Sequence, residues 1–290
     1  WDAVVKIGRT HLQDATPIRL GQEFSGFASQ VRHAETRMKR ALDALSELEL
    51  GGTAVGTGIN THKEFGSRVA QALAKRTGVP FREADNHFEA QHAKDACVGA
   101  SGHCKGVASG VSKIATDIRL LGCGPRCGIG ELKLPAVQPG SSIMPGKVNP
   151  VICEAVVMVA CRVVGNDATV TMAGAGGVGS LLDLNVGMPV MAEALIDSID
   201  VLAGACDTLR DKCIEGLEAD AGRCEELIEQ SLAMCTSLVP AIGYDKSAAL
   251  AKQAYKEGKT VRQLALEQKL LSEADLDRLL NPDAMTRPSE

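Results

Sequence analysis

Gln138-Pro139-Gly140-Ser141-Ser142-Ile143-Met144-Pro145-Gly146-Lys147-Val148-Asn149-Pro150 is the stretch from which the fold reads outward. Two glycines and three prolines in thirteen residues forbid a continuous helix or strand. What remains is a shaped loop carrying two adjacent hydroxyls, Ser141 and Ser142, one cation, Lys147, and one amide, Asn149. Asn149-Pro150 then opens a long apolar segment; Asn is a favoured N-cap and Pro a favoured first helical residue. The loop is therefore expected to deliver its polar groups to the positive end of a helix, where free N–H groups and the dipole favour an anion. Hydroxyl, ammonium, amide and helix N-terminus together suit a carboxylate, or a carbanion delocalised onto one. The plainer alternative is a solvated turn followed by a capped helix.

Beyond the loop, Val151 to Met172 is apolar nearly all round and is expected to be the buried middle helix. Glu154 is the exception in its first turns, and a carboxylate there needs a partner or a raised pKa. Gln22 to Leu50, Phe88 to Leu121 and Pro189 to Leu217 carry apolar residues at alternating steps of three and four, the spacing of helix seams. In the second of these the seam runs Ala90, Ala93, Cys97, Ala100, Cys104 before larger residues take over, so a neighbouring helix is expected to approach closely. Aromatic residues make up only 3%, which suits a bundle with small-residue seams better than a sandwich. Lys63 to Thr77 reads as a shorter helix stopped by Gly78 and Pro80. Gly174 to Gly179 fits G-x-G-x-x-G, but no strand precedes it and no alternation of strand and helix surrounds it; it reads as a turn between helices.

At the start, Ala3 to Ile7 reads as a short strand or extended lead-in ending at Gly8. After Glu218 the helices shorten, to roughly Arg223–Leu238, Lys246–Lys256, Val261–Lys269 and Ala274–Leu280, with Asp245 and Ser272 as expected N-caps. The expected organisation is all-α: a helical-bundle domain over 1–218 and a small α-helical C-terminal domain over 219–290.

A formal net charge of −5 argues against a nucleic-acid surface. No apolar run reaches the roughly 20 residues that a membrane helix needs. Ten cysteines without a secretory signal read as reduced thiols. Cys123 and Cys127, with His103 and Cys104 upstream, are a weak candidate for a zinc site: the spacing is loose and no second ligand pair is evident.

Gly140 to Pro150 resembles the signature loop of the fumarase/aspartase superfamily. A second match is Gly8-Arg9-Thr10-His11-Leu12-Gln13-Asp14-Ala15-Thr16-Pro17, in the form of the class II fumarate hydratase branch; the aspartase branch has Gln where this chain has His11. The likeness continues through Gly52–Gly58, Gly124–Glu131 and Gly243–Lys246, and so covers essentially the whole chain. It implies reversible hydration of fumarate to L-malate through an aci-carboxylate, without a metal or organic cofactor. Carried over residue by residue, Ser141 would be the carbon base, and His11, oriented by Glu154, would handle the water or hydroxyl end. Thr10, Ser142, Lys147 and Asn149 would hold the substrate oxygens.

The resemblance also implies a homotetramer with sites shared between subunits. The location would be cytoplasmic, or the mitochondrial matrix if a targeting segment has been removed. The family carries a substantial region ahead of the Thr10-His11 motif with further substrate-binding side chains, and this chain begins at Trp1, so it is expected to be a piece of something longer. An aspartate ammonia-lyase-like enzyme and a non-catalytic helical assembly fragment are the alternatives.

Overall fold

The computed structural model describes residues 1–288. The elements are, in chain order, β1 (Val5–Thr10), β2 (Gln13–Arg19), α1 (Leu20–Leu45), β3 (Glu47–Leu48), α2 (Phe65–Thr77), β4 (Arg82–Glu83), α3 (His87–His92), α4 (Asp95–Leu121), β5 (Leu132–Lys133), α5 (Val151–Gly174), β6 (Ser180–Leu181), β7 (Leu184–Asn185), α6 (Met188–Lys212), β8 (Glu218–Ala219), α7 (Ala221–Gln230), α8 (Val239–Ile242), α9 (Tyr244–Glu257), α10 (Val261–Glu267) and α11 (Glu273–Leu279). Helices dominate, as expected. The described strands pair only two by two, and the one parallel pair, β3 with β4, is two residues long. No helix among the described residues is long and apolar enough to cross a membrane.

The chain clusters into two compact units: residues 1–28, 120–134 and 217–290, and residues 29–119 and 135–216. The second is built on long helices. Gly110 faces Gln30 and Gly106 faces Arg37, so α1 and α4 run antiparallel. Lys105 pairs with Asp167 at 2.5 Å and Gly174 faces Val98, which sets α5 antiparallel to α4. Arg162 and Asn166 both reach Asp197, at 2.8 and 2.7 Å, and Asn166 also reaches Ser198 on α6. Glycine at these crossings removes the side chain that would hold the axes apart.

α5 departs from expectation in one respect. Its buried residues, Cys153, Val156, Ala160, Val163, Asn166, Asp167, Val170 and Ala173, form a single stripe. Met158, Val164 and Met172 lie on its exposed side, so a helix apolar all round is covered on only one face within the chain. The expected single helix from Phe88 to Leu121 is also broken. Ala93 is extended (φ −86°, ψ 137°), and the His92 carbonyl accepts from the Ser180 hydroxyl at 2.6 Å instead of from a helical N–H. Lys94 meanwhile reaches back to the Ala90 carbonyl and pairs with Glu49. The glycine-rich turn after α5 brings the chain back over the helix end: a Cβ at Gly179 would fall 1.7 Å from the Ala173 carbonyl oxygen.

The first unit holds a hairpin and the short C-terminal helices. β1 and β2 pair antiparallel from Val5 opposite Arg19 to Thr10 opposite Gln13. Their register slips between Ile7 and Arg9, where Pro17 stands opposite Ile7 with no N–H to give. The expected short lead-in is thus a strand that runs on through Thr10. Ile7 belongs to the same core as Ile228, Leu238, Leu250, Leu264 and Leu276. Arg223–Leu238, expected as one helix, is α7 followed by a 3₁₀ segment over Leu232–Leu238. Ser272 caps α11 as expected, its hydroxyl accepting from the Asp275 N–H at 3.1 Å. Asp245 is not a cap: Gly243 (φ 84°) holds that position and Asp245 sits inside the first turn of α9.

Candidate active site

In the 138–150 loop the backbone folds onto itself. The Gly140 N–H donates to the Lys147 carbonyl at 2.8 Å, and the Asn149 side-chain amide donates to the Gly140 carbonyl at 2.9 Å. Only glycine fits at 140, because a Cβ there would lie 2.4 Å from the Lys147 oxygen and 2.8 Å from the Asn149 nitrogen. Inside this clasp the Ser141 hydroxyl accepts two backbone N–H groups, from Ile143 and Met144, each at 3.1 Å. Two convergent donors on one serine oxygen favour its anionic form over the neutral one.

Ser142 and Lys147 are exposed, and no carboxylate pairs with Lys147 among the described residues. Ile143 is 86% exposed and Met144 51%, so the rim of the loop is apolar. Asn149 is not the helix cap. Its amide closes the loop, and α5 starts at Val151 after Pro150 (φ −78°, ψ 53°), which makes no side-chain cap bond. Glu154 follows in the first turn, half-buried; no hydrogen bond or ion pair holds its carboxylate among the described residues.

Thr10 and His11 sit in the other unit, at the tip of the β1–β2 hairpin, and both are exposed. The two-residue turn is His11-Leu12, with φ of 56° and 61°. Two left-handed residues make a turn whose twist suits a hairpin, but one that ordinarily asks for Asn and Gly. Holding His and Leu there costs about 1 kcal/mol each.

The strand leading to this tip is anchored by buried charge. The Arg9 guanidinium donates to both Glu131 carboxylate oxygens at 2.9 and 3.0 Å. Lys6 Nζ lies 3.3 Å from Glu131 and 3.5 Å from Glu23. Lys6 is 1% exposed and Glu131 0%. Arg223 ties down the segment ahead of Glu131 by donating to the Gly128 and Ile129 carbonyls, each at 3.0 Å. Burial, followed by the nearby Glu131 carboxylate, pushes the Cys224 thiol up to about 11. In the sequence the only local sign of this buried Glu131 is a lone carboxylate between Ile129-Gly130 and Leu132.

Ser141, Ser142, Lys147, Asn149 and Glu154 are thus brought onto one loop and the helix it opens, while Thr10 and His11 share one hairpin tip. Among the described residues no group of three or more His, Cys, Asp or Glu side chains is placed to hold a metal.

The family described as Lyase matches residues 1–165, and the one described as Fumarase C C-terminus matches 234–287. The chain is 50% identical over 285 residues to fumarate hydratase class II of Neisseria meningitidis, covering 98% of this chain and 61% of that protein. It is likewise 50% identical over 287 residues to the mitochondrial fumarate hydratase 1 of Arabidopsis thaliana, covering 99% of this chain and 58% of that one. The crystal structure of class II fumarase from Schistosoma mansoni superposes with a TM-score of 0.92 at 38% identity, over 99% of this chain and 62% of that one. The chain therefore spans about three fifths of the length of the relatives it matches. With the Lyase family matching more than half its residues, the chain belongs to this family of lyases, the fumarase/aspartase superfamily.

Proposed function

We propose that this chain carries the catalytic body of a fumarate hydratase, interconverting fumarate and L-malate. The observation that carries the reading is the Ser141 hydroxyl with two backbone N–H groups aimed at it inside a glycine-clasped loop. The difficulty in the malate-to-fumarate direction is to take a proton from the carbon next to a carboxylate. An unperturbed serine hydroxyl is far too weak a base; the Ile143 and Met144 N–H groups, with the Lys147 ammonium nearby in the loop, lower the cost of its alkoxide. The alkoxide takes the carbon proton and the electron pair moves into the carboxylate, forming a dianionic aci-carboxylate. Lys147 and the remaining N–H of the Asn149 amide meet that growing charge. His11, oriented by Glu154, protonates the leaving hydroxyl, or removes a proton from water in the reverse direction. Thr10 and Ser142 bind substrate oxygens.

The His11 and Ser141 motifs are proposed to meet between subunits of a homotetramer. The uncovered apolar side of α5, with Met158, Val164 and Met172, supports such an assembly. The same uncovered side of α5 also fits a second reading, a helical body that binds its partners without turnover of its own.

The test is fumarate absorbance after adding L-malate to the chain, alongside Ser141→Ala and His11→Asn. Turnover in the parent and a fall of about 10³-fold or more in each variant is the expected result. Turnover that survives both substitutions would overturn the assignment. An inactive parent chain that gains activity from a full-length partner would support the second reading.

A further inference from the structure

Ten cysteines are spread along the chain, and among the described residues one pair meets: Cys153 Sγ stands 3.9 Å from Cys213 Sγ. Cys153 lies in the first turn of α5, three residues beyond Pro150, and Cys213 is the residue on which α6 ends. The pair therefore closes one end of two antiparallel helices that are already in contact, beside the Ser141 loop. Both thiols are buried, at 0% and 2% exposure. Their cover is thin, since Lys212, Ile214 and Glu215, on either side of Cys213, are all exposed.

We propose that Cys153 and Cys213 are an oxidisable dithiol that hydrogen peroxide converts to a disulfide, tying the first turn of α5 to the end of α6. A disulfide needs its sulfurs at about 2.05 Å, so each has to move by roughly 1 Å, within reach of side-chain rotation. The two thiols differ in character. The hydrogen bond from Cys153 draws the Cys213 thiol below its ordinary value against the effect of burial. The same bond, with burial, pushes Cys153 up. Cys213 is therefore the attacking sulfur and Cys153 the resolving one.

The Cys213 thiolate attacks one peroxide oxygen and the O–O bond breaks. Cys213 becomes a sulfenic acid, and the departing oxygen leaves as water after taking a proton. Cys153 then attacks the Cys213 sulfur. The S–S bond forms, the S–O bond breaks, and the hydroxyl leaves as a second water with the Cys153 proton. Two electrons pass from the two thiols to one peroxide. A single buried thiol would be slow, but here the resolving partner is already in contact. Burial also selects the oxidant: hydrogen peroxide is small and neutral enough to enter, whereas glutathione disulfide has no room at a sulfur that is 0% or 2% exposed.

The experiment is peptide mapping by mass spectrometry after exposing the folded chain to hydrogen peroxide, with remaining thiols alkylated under denaturing conditions. The expected product joins the Cys153 and Cys213 peptides, lighter than the two free peptides together by about 2 Da, and dithiothreitol separates it again. Glutathione disulfide is expected to give no adduct at either residue. Cys153→Ala and Cys213→Ala should each abolish the joined peptide, with Cys161→Ala, at an exposed site, leaving it in place. Native circular dichroism of each variant guards against misfolding, and mapping of the unsubstituted chain needs no variant at all. The proposal is overturned if Cys153 and Cys213 both remain alkylatable after the exposed Cys127, Cys161 and Cys206 have been oxidised. It is also overturned if the link forms only in urea, or if either residue takes up glutathione.

Discussion

At the scale of single residues, the loop around Ser141 depends on a glycine that does no chemistry. A methyl at 140 meets the Lys147 carbonyl and the Asn149 nitrogen, the two groups that close the clasp. Gly146 is the useful contrast: its φ is 81°, but a Cβ there meets nothing within 4 Å. Gly140→Ala should cut turnover by about 10²-fold through misplacement of Ser141. Gly146→Ala should cost only the strain of a left-handed residue, about 1 kcal/mol. Steady-state rates with L-malate, read beside thermal melts, check this, and equal losses in the two variants would sink it. Ser141, Ser142, Lys147 and Asn149 were legible as candidates because short-range sequence carries the loop. Asn149 as a clasp instead of a cap was not, since both uses call for the same residue type after a turn. Glu131 was illegible for a different reason: its partners Lys6 and Arg9 lie far away in sequence, and nothing local says that a carboxylate will be buried between cations.

At the scale of elements, helix ends show where charge contributes. Asp220 caps α7 by accepting from the Arg223 N–H at 3.0 Å and pairs with Lys133 at 2.9 Å. The Lys133 hydrogen bond, followed by the Arg223 N–H, holds the Asp220 carboxyl below its ordinary 3.8. A group lowered on folding contributes its full stabilisation above the unfolded value and loses it as pH falls through the folded one. Asp220→Asn keeps a capping oxygen but removes the charge. Urea midpoints for the parent should therefore fall more steeply than the variant's below about pH 4 and run parallel to them above it. Parallel curves throughout would remove the charge from the account. High salt should narrow the difference, as this pair is partly exposed. The long helices were legible from their seams, within a few residues at each end. The break between α3 and α4 was not, because it is made by Ser180 and Glu49, which belong to other elements.

At the scale of the whole molecule, the proposed sharing of sites has an arithmetic signature. If His11 of one subunit works with Ser141 of another, random mixing of His11→Asn and Ser141→Ala chains restores about a quarter of the sites. Activity assays after unfolding the two variants together and refolding them should recover about that fraction of parent turnover. Recovery of none would confine each site to a single chain. The hairpin has a further consequence. Ile7 shares its core with Leu276 and Leu280. During synthesis at about 5–20 residues per second, β1 leaves the ribosome tens of seconds before the last of these partners exists. For that interval β2 and then Glu131 can already pair with the strand, but the apolar face that carries Ile7 still lacks the C-terminal part of its core. Any stall beyond Leu217 prolongs the wait, so the yield of folded chain depends on how fast the final helices are translated and on what shelters the strand until they arrive.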